Sequence, residues 1–480
     1  MDRFIAVSPH AGGHGFIEGA TGAPFVPIGC NYFDPATGWA PKIWSRFDPE
    51  RVGAQLKQIG QAGFTTVRVF LDMGTLNPTP GSYSEEGFAK VARMIELVRA
   101  AGLRIIFSGP NGWEGRAHHA WGDSYADQPY LDLRCELWRR IMQRFGDDPT
   151  VMAWDLMNEP SVGWPDSQHA DQPYLQPRLA KWCAFANEHA GALPVPARRD
   201  SGVLPGVEPG RRFPQVDPAG EDRQIYAHYV RFQEHLTERW VARQCEAIRE
   251  AGGKQLITLG MHQSSIPIFL PKAYSYGGFN PQQIGRHLDY MSVHFYPMLE
   301  DVDRGMVEEQ LTIRRGYVEI VARAAHVAGK PLVIEEFGWK GGNRVPREIK
   351  TWPQEHQTLW CDTLVRATRG VASGWLNWAY ADSPDPTADI SAASGLWTSD
   401  GKQMKHWGKR FAQLAEQFKA SPPTYRHAAK RYEIDLVDYL YRGGGRPDES
   451  WLAEHCSQEH PDGIEVVLTR PWLRSLHSAA

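Results

Sequence analysis

The sequence predicts an α/β chain folded as a (β/α)8 TIM barrel, with a long insertion after the fourth strand and a short C-terminal appendage. Three observations predict it. Strand-like and helix-like segments alternate eight times between about residues 25 and 420. The strands are apolar throughout, as parallel strands are when both faces are covered. The polar residues that interrupt them gather at their C-terminal ends, where barrels of this kind place their sites. At 480 residues, with 42% hydrophobic and 22% charged content, the chain is long enough for one large barrel.

The elements follow in order. Phe25–Cys30 is a first strand. Asp48-Pro49 opens a helix, with Asp as N-cap and Pro at the first helical position, and Gly63 ends it. Thr65–Phe70 is the second strand. Phe88, Val91, Ile95 and Val98 share one helical face, closed by Gly102. Arg104–Ser108 is the third strand. A helix from about Tyr130 to Phe145 leads to the fourth, Val151–Leu156. Residues 161–222 then break the rhythm with nine prolines and one helix near Arg178–His189. A connection this long is functional or disordered, because compact domains keep loops short.

A long helix from about Gln224 to Ala251 restores the alternation. Gln255–Gly260 is strand five and Tyr290–Phe295 strand six. A helix around Val307–Ala328 precedes Leu332–Glu336, strand seven. A helix near His356–Arg369 precedes Gly374–Ala379, strand eight, and a helix near Met404–Phe418 closes the series. The barrel therefore occupies residues 1–420. Residues 421–480, with a short apolar segment at Ile464–Leu468, are too few for a robust domain of their own and are expected to pack on the barrel.

Composition excludes several classes of function. The net charge of −4 offers no basic face for nucleic acid. No apolar run approaches the ~18 residues of a membrane span. The N-terminal MDRFIAVSPHAGGHGF lacks the pattern of a secretory leader, which predicts a cytoplasmic protein, or a secreted one if a leader has been removed. Six scattered cysteines without CxxC spacing read as reduced thiols.

The chemistry lies at the strand ends. Arg68 ends strand two; Asn158 and Glu159 end strand four; His294 and Tyr296 end strand six. Glu335 and Glu336 end strand seven, and Trp378 ends strand eight. A lone Glu at a strand end is usually a solvated loop residue, a lone Arg a surface or ion-pair residue, and a lone Trp or Tyr packing. Five strands presenting such residues at one end is a coincidence those readings do not explain. Two carboxylates delivered to one cleft by different strands suit cleavage of a glycosidic bond.

The chain resembles clan A glycoside hydrolases, and most of all glycoside hydrolase family 5, the cellulase/mannanase family. The likeness covers roughly residues 20–420. It rests on Pro149-x-Val151-x-x-Trp154-Asp155-Leu156-Met157-Asn158-Glu159-Pro160, then on Glu336-Phe337-Gly338, His294-x-Tyr296 and Arg68 within TTVRVF. The resemblance implies a retaining double displacement without metal or other cofactor. Glu336 would be the nucleophile and Glu159 the acid/base, with their carboxyl groups ~5–5.5 Å apart. Arg68 and the Tyr296 hydroxyl would favour an ionised Glu336, whose charge would keep Glu159 protonated. Asn158 would bond the sugar 2-hydroxyl, His294 would lie near the acid/base, and Trp378 would floor the sugar.

Glu335 is the rival nucleophile. Neighbours on a strand face opposite sides, so only one of the pair is expected to point into the barrel, and the family pattern selects Glu336. Family 5 chains often have a histidine at the end of strand three. This chain has Phe107-Ser108-Gly109-Pro110-Asn111-Gly112-Trp113 there, and Asn111 or His118 is the candidate substitute. Trp113, Trp121, Trp164, Trp339 and Trp397 fall in expected cleft-end loops, where rings would pack on sugar faces.

The expected function is a retaining β-glycosidase, exo-acting on short β-linked oligosaccharides, with the insertion at 161–222 walling the cleft into a pocket. The alternative is an endo-β-glucanase or endo-β-mannanase. A non-catalytic carbohydrate-binding barrel is disfavoured by the presence of both carboxylates. A metal-dependent hydrolase is disfavoured by dispersed histidines and by the lack of HxH on strand one.

Overall fold

The computed structural model describes residues 3–9, 13–38, 42–112, 124–162, 175–188, 223–265, 276–296, 308–339, 353–384, 393–435 and 464–469. Eight parallel strands close a barrel: β4 (Ile28–Asn31), β5 (Thr66–Asp72), β6 (Arg104–Asn111), β7 (Val151–Asn158), β8 (Leu256–His262), β9 (Met291–Phe295), β10 (Leu332–Phe337) and β11 (Gly374–Asn377). They pair in chain order, and β11 closes on β4 with Trp375 opposite Ile28. Every residue of β5 is buried, and so is all of β7 up to Asn158. That double burial is why these strands read as continuous apolar runs.

The helices form where their end signals stand. Asp48 caps the helix Pro49–Gln61 by accepting from the N–H groups of Glu50 and Arg51, and Val52, Leu56 and Ile59 are its buried face. Ser84 caps Glu85–Ala100 through the N–H of Gly87, and Phe88, Val91, Ile95 and Val98 turn inward as their spacing predicts. No helix among the described residues is long and apolar enough to cross a membrane. Cys30, Cys135, Cys245 and Cys361 are buried free thiols.

Three short strands precede the barrel: β1 (Ile5–Val7), β2 (Phe16–Glu18) and β3 (Pro24–Phe25), joined antiparallel. Ile5 and Phe16 pack with Ile106, Met152 and Leu256, residues from the N-terminal halves of barrel strands. The hairpin is thus a plug at the end opposite the site. Two or three residues per strand are too few to register as a pattern in the sequence.

The C-terminal segment forms a two-stranded parallel sheet, β12 (Lys430–Asp435) with β13 (Ile464–Thr469). It is tied to the barrel's outer layer. The Arg426 N–H donates to Gly370 O at 2.8 Å, and Arg323 Nη1 donates to Arg426 O at 2.8 Å. The Tyr425 ring stacks on His14 and His326, with centroids 4.2 and 4.6 Å apart. Of the insertion, a helix spans Leu175–Glu188. Residues 163–174 and 189–222, on which the expected pocket wall depends, lie outside the described residues, as do Trp113, His118, Trp121 and Trp164.

Two irregularities in the barrel decide what faces inward. Along β7 and β8, Asp155 pairs with Thr258 and Asn158 with Gly260, three steps against two. Along β10 and β9, Ile334 pairs with Val293 and Glu336 with His294, so Glu335 is an extra residue on its strand. Each is a bulge that interrupts strict alternation of side chains.

Candidate active site

Arg68 is the hub. It is fully buried on β5 and uses all three nitrogens. Nη1 donates to Asn31 Oδ1 at 2.9 Å and to Glu336 Oε1 at 2.6 Å. Nη2 donates to Ser108 Oγ at 2.9 Å, Asp155 Oδ2 at 2.7 Å and Asn158 Oδ1 at 2.9 Å. Nε donates to Asp155 Oδ2 at 3.1 Å and lies 3.4 Å from Glu335 Oε2. Burial works against the charge, but Asp155, Glu336 and Glu335 outweigh it and raise the arginine's pKa above its ordinary value. Only a planar fork with five N–H groups serves so many acceptors from one point.

Glu336 is held at both oxygens: Oε1 by Arg68, and Oε2 by the Tyr296 hydroxyl at 2.8 Å. The Tyr296 phenol is pushed well above its usual pKa, first by burial and then by Glu336 and Glu159, so it stays a donor. Glu159 occupies a different setting. Its φ of 46° makes it the one non-glycine residue in the left-handed region among the described residues, a conformation costing about 1–2 kcal/mol. Its N–H donates to Gly260 O at 2.8 Å, which anchors the turn. The Glu159 side chain is 30% exposed against 5% for Glu336, so it faces the open cleft.

His294 joins them. Its Nδ1 lies 2.9 Å from Glu159 Oε1 and 3.6 Å from Glu336 Oε1. Burial lowers its pKa to about 3 despite the opposing pull of Glu336, so the ring is neutral at working pH. Nδ1 faces both carboxyl groups, so a proton on that nitrogen lets the ring donate to whichever of them is ionised. One oxygen each from Glu159 and Glu336, together with His294 Nδ1, lie within 4.8 Å of one another. Carboxyl groups ~5–5.5 Å apart suit a retaining mechanism, whereas inverting pairs stand ~6.5–9.5 Å apart. The trio could in principle ligate a cation. However, the Arg68 guanidinium already holds Glu336 Oε1, and a second positive charge there would be repelled.

The expectation that only one of Glu335 and Glu336 points into the barrel is corrected by the structure. Both reach Arg68, because the bulge at Glu335 cancels the alternation on which that expectation rested. Asn158 gives its amide oxygen to Arg68, which leaves the amide nitrogen as the donor for a ligand. Asn111 is buried and does not present itself directly; its Oδ1 accepts from the Asn158 N–H at 3.1 Å, so it supports Asn158. Trp378 is buried in a cluster with Phe33 and Phe70, against which the partly buried Tyr296 packs. Trp339 and Trp397, expected in cleft-end loops, are each 2% exposed and belong to the main core, Trp339 against Trp360 and Trp397 against Tyr380.

Sequence reasoning missed Asp155, Ser108, Asn31 and Gly260. Asp155 carried a signal: a charged residue inside an apolar strand is almost never fully buried without a partner. Gly260 carried none. A Cβ there would stand 2.8 Å from His294 Nε2, 2.9 Å from Arg68 Nη2 and 3.0 Å from Asp155 Oδ2. Gly260→Ala is therefore expected to cost about 1–3 kcal/mol of stability by overpacking and to lower kcat/KM together with it. Thermal unfolding and steady-state kinetics check this; unchanged values in both would show that the hub has slack.

The profile of the family described as Cellulase (glycosyl hydrolase family 5) matches residues 20–191. Curated relatives include mannan endo-1,4-beta-mannosidase 7 of Arabidopsis thaliana, 28% identical over 198 residues, covering 35% of this chain and 44% of that protein. Another is mannan endo-1,4-beta-mannosidase 3 of Solanum lycopersicum, 30% identical over 183 residues, covering 30% and 44%. The chain thus spans less than half the length of these curated relatives. Among solved structures, an exo-beta-1,4-mannosidase from Opitutaceae bacterium strain TAV5 superposes with a TM-score of 0.64 at 18% identity, covering 96% of this chain and 72% of that one. A GH5_18 protein from Bifidobacterium longum subsp. longum, in complex with Manb1-4GlcNAc, gives 0.60 at 18%, covering 95% and 93%. At these identities the superpositions speak for the shared barrel fold.

Proposed function

We propose that this chain is a glycoside hydrolase of family 5, the cellulase family, and within it a retaining exo-β-mannosidase acting on short β-linked glycans. The observation that carries the reading is the close approach of Glu159 and Glu336, one held at both oxygens and buried, the other open to the cleft. Glu336 attacks the anomeric carbon as the bond to the leaving oxygen breaks, and Glu159 gives that oxygen its proton. A glycosyl ester on Glu336 results. Water then enters, Glu159 takes its proton, and the ester bond to Glu336 breaks, so configuration is retained. The neutral His294 donates from Nδ1 to Glu159 whenever that carboxyl is ionised, orienting it between the two steps.

Mannose at the cleavage point is supported by the mannan-cleaving relatives, and a short substrate by the exo-mannosidase and the disaccharide complex among the superposed structures. The experiment is a substrate panel: aryl β-mannoside, β-glucoside, β-galactoside, β-xyloside and β-fucoside beside Manβ1-4GlcNAc, mannan and β-glucan. Release of single mannose units from the aryl mannoside and the disaccharide, with no fall in polymer viscosity, is the expected result. A rapid fall in mannan or glucan viscosity would favour the endo-acting alternative.

A further inference from the structure

Three buried carboxylates share the single guanidinium of Arg68, and the mechanism above uses only one of them. We propose that Glu335 is a positioning residue acting through Arg68: neutral, it leaves the guanidinium to Glu336, and on losing its proton it competes for that group and loosens the nucleophile. This rests on the reading of Glu336 as nucleophile.

The charges at the hub require that one acid be neutral. Asp155 and Glu336 already outnumber Arg68, and His294 adds no positive charge because burial keeps it neutral. A third anion in a fully buried cluster would be severely desolvated. The hydrogen bonds show which acid holds the proton. Asp155 accepts from Gly260 N–H at 2.8 Å and Met157 N–H at 3.3 Å at Oδ1, and from Arg68 twice at Oδ2. Glu336 has a donor on each oxygen. Glu335 has one short donor, the Tyr290 hydroxyl on Oε1 at 2.6 Å, while its Oε2 lies 3.4 Å from Arg68 Nε and makes no hydrogen bond. Ser292 Oγ is the buried hydroxyl beside it, able to donate to the carboxylate or to accept from the protonated acid.

The groups facing Glu335 come from every surrounding strand: Arg68 on β5, Asp155 on β7, Tyr290 and Ser292 at β9, and Glu336 beside it. Burial is the main cause raising its pKa, followed by Asp155, against Arg68 and the hydroxyls of Tyr290 and Ser292. The bulge that turns Glu335 inward puts its Oε2 at the Nε side of the guanidinium, which Asp155 also uses. When it ionises, the Arg68 Nε side is drawn toward Oε2, away from the geometry that holds Glu336.

The test uses a 2,4-dinitrophenyl β-mannoside, whose leaving group departs without Glu159's proton, so that kcat/KM no longer reports the acid. The wild type should still lose kcat/KM above neutrality, by about tenfold per pH unit for one ionisation. In Glu335→Gln that limb should move up by about one pH unit or more, with turnover kept on the acid side. Tyr290→Phe removes the bond that favours ionised Glu335 and keeps the ring beside Phe16, so it too should shift the limb upward; it decides the matter if the glutamine variant does not fold. A wild type without the limb, or variants with an unmoved limb, would overturn the proposal. Wild-type kcat/KM in Glu336→Gln would instead overturn the nucleophile assignment, and the proposal with it.

Discussion

Glu336→Gln is expected to lose kcat/KM on an aryl β-mannoside by on the order of 10⁴-fold or more, the scale seen when a hydrolase loses its nucleophile. Glu335→Gln is expected to keep measurable turnover below neutral pH. The contrast follows from placement. Glu336 has one oxygen within 4.8 Å of Glu159 and His294 at the cleft, and donors on both of its own oxygens. Glu335 is fully buried, with the Tyr290 hydroxyl on its Oε1. An amide at 336 keeps the shape and the Tyr296 contact but cannot form the glycosyl ester. If the two variants ranked in reverse, the nucleophile would be Glu335 and the mechanism would need rebuilding around it.

The second large effect is on the fold. Arg68→Met should destabilise the protein by about 3–5 kcal/mol, because it leaves Asp155 and Glu336 buried without their cation. Arg68→Lys should recover part of that stability and little of the activity. An ammonium is a point charge with three donors, whereas the native contacts with Asn31, Ser108, Asp155, Asn158 and Glu336 come from a planar fork. Denaturant unfolding measures the first claim and kcat/KM the second. A methionine variant as stable as the wild type would mean that the carboxylates had simply taken up protons, and that the hub holds the site's geometry without holding the barrel.

The eight staves were legible because strands buried on both faces leave an unambiguous apolar trace. The carboxylates were legible because they end those traces. The environment of the carboxylates was not. Alternation of side chains, sound along a regular strand, turned Glu335 outward; an inserted residue, invisible in the sequence, turns it back. The same device brings Asp155 and Asn158, three positions apart, onto one guanidinium. Trp339 and Trp397 were misplaced because a tryptophan in an expected loop reads as available, while here the first packs on Trp360 and the second on Tyr380 in the core. Asn111 stands at the position where a family histidine was sought, yet it works on the backbone of Asn158.

In the proposed mechanism Glu159 and Glu336 act as a retaining pair. Proton NMR of the first sugar released from an aryl β-mannoside, recorded before mutarotation, tests it directly. The β-anomer should form first and drift to the equilibrium mixture; the α-anomer appearing first would mean single-step inversion and would contradict the assignment of Glu336 as nucleophile.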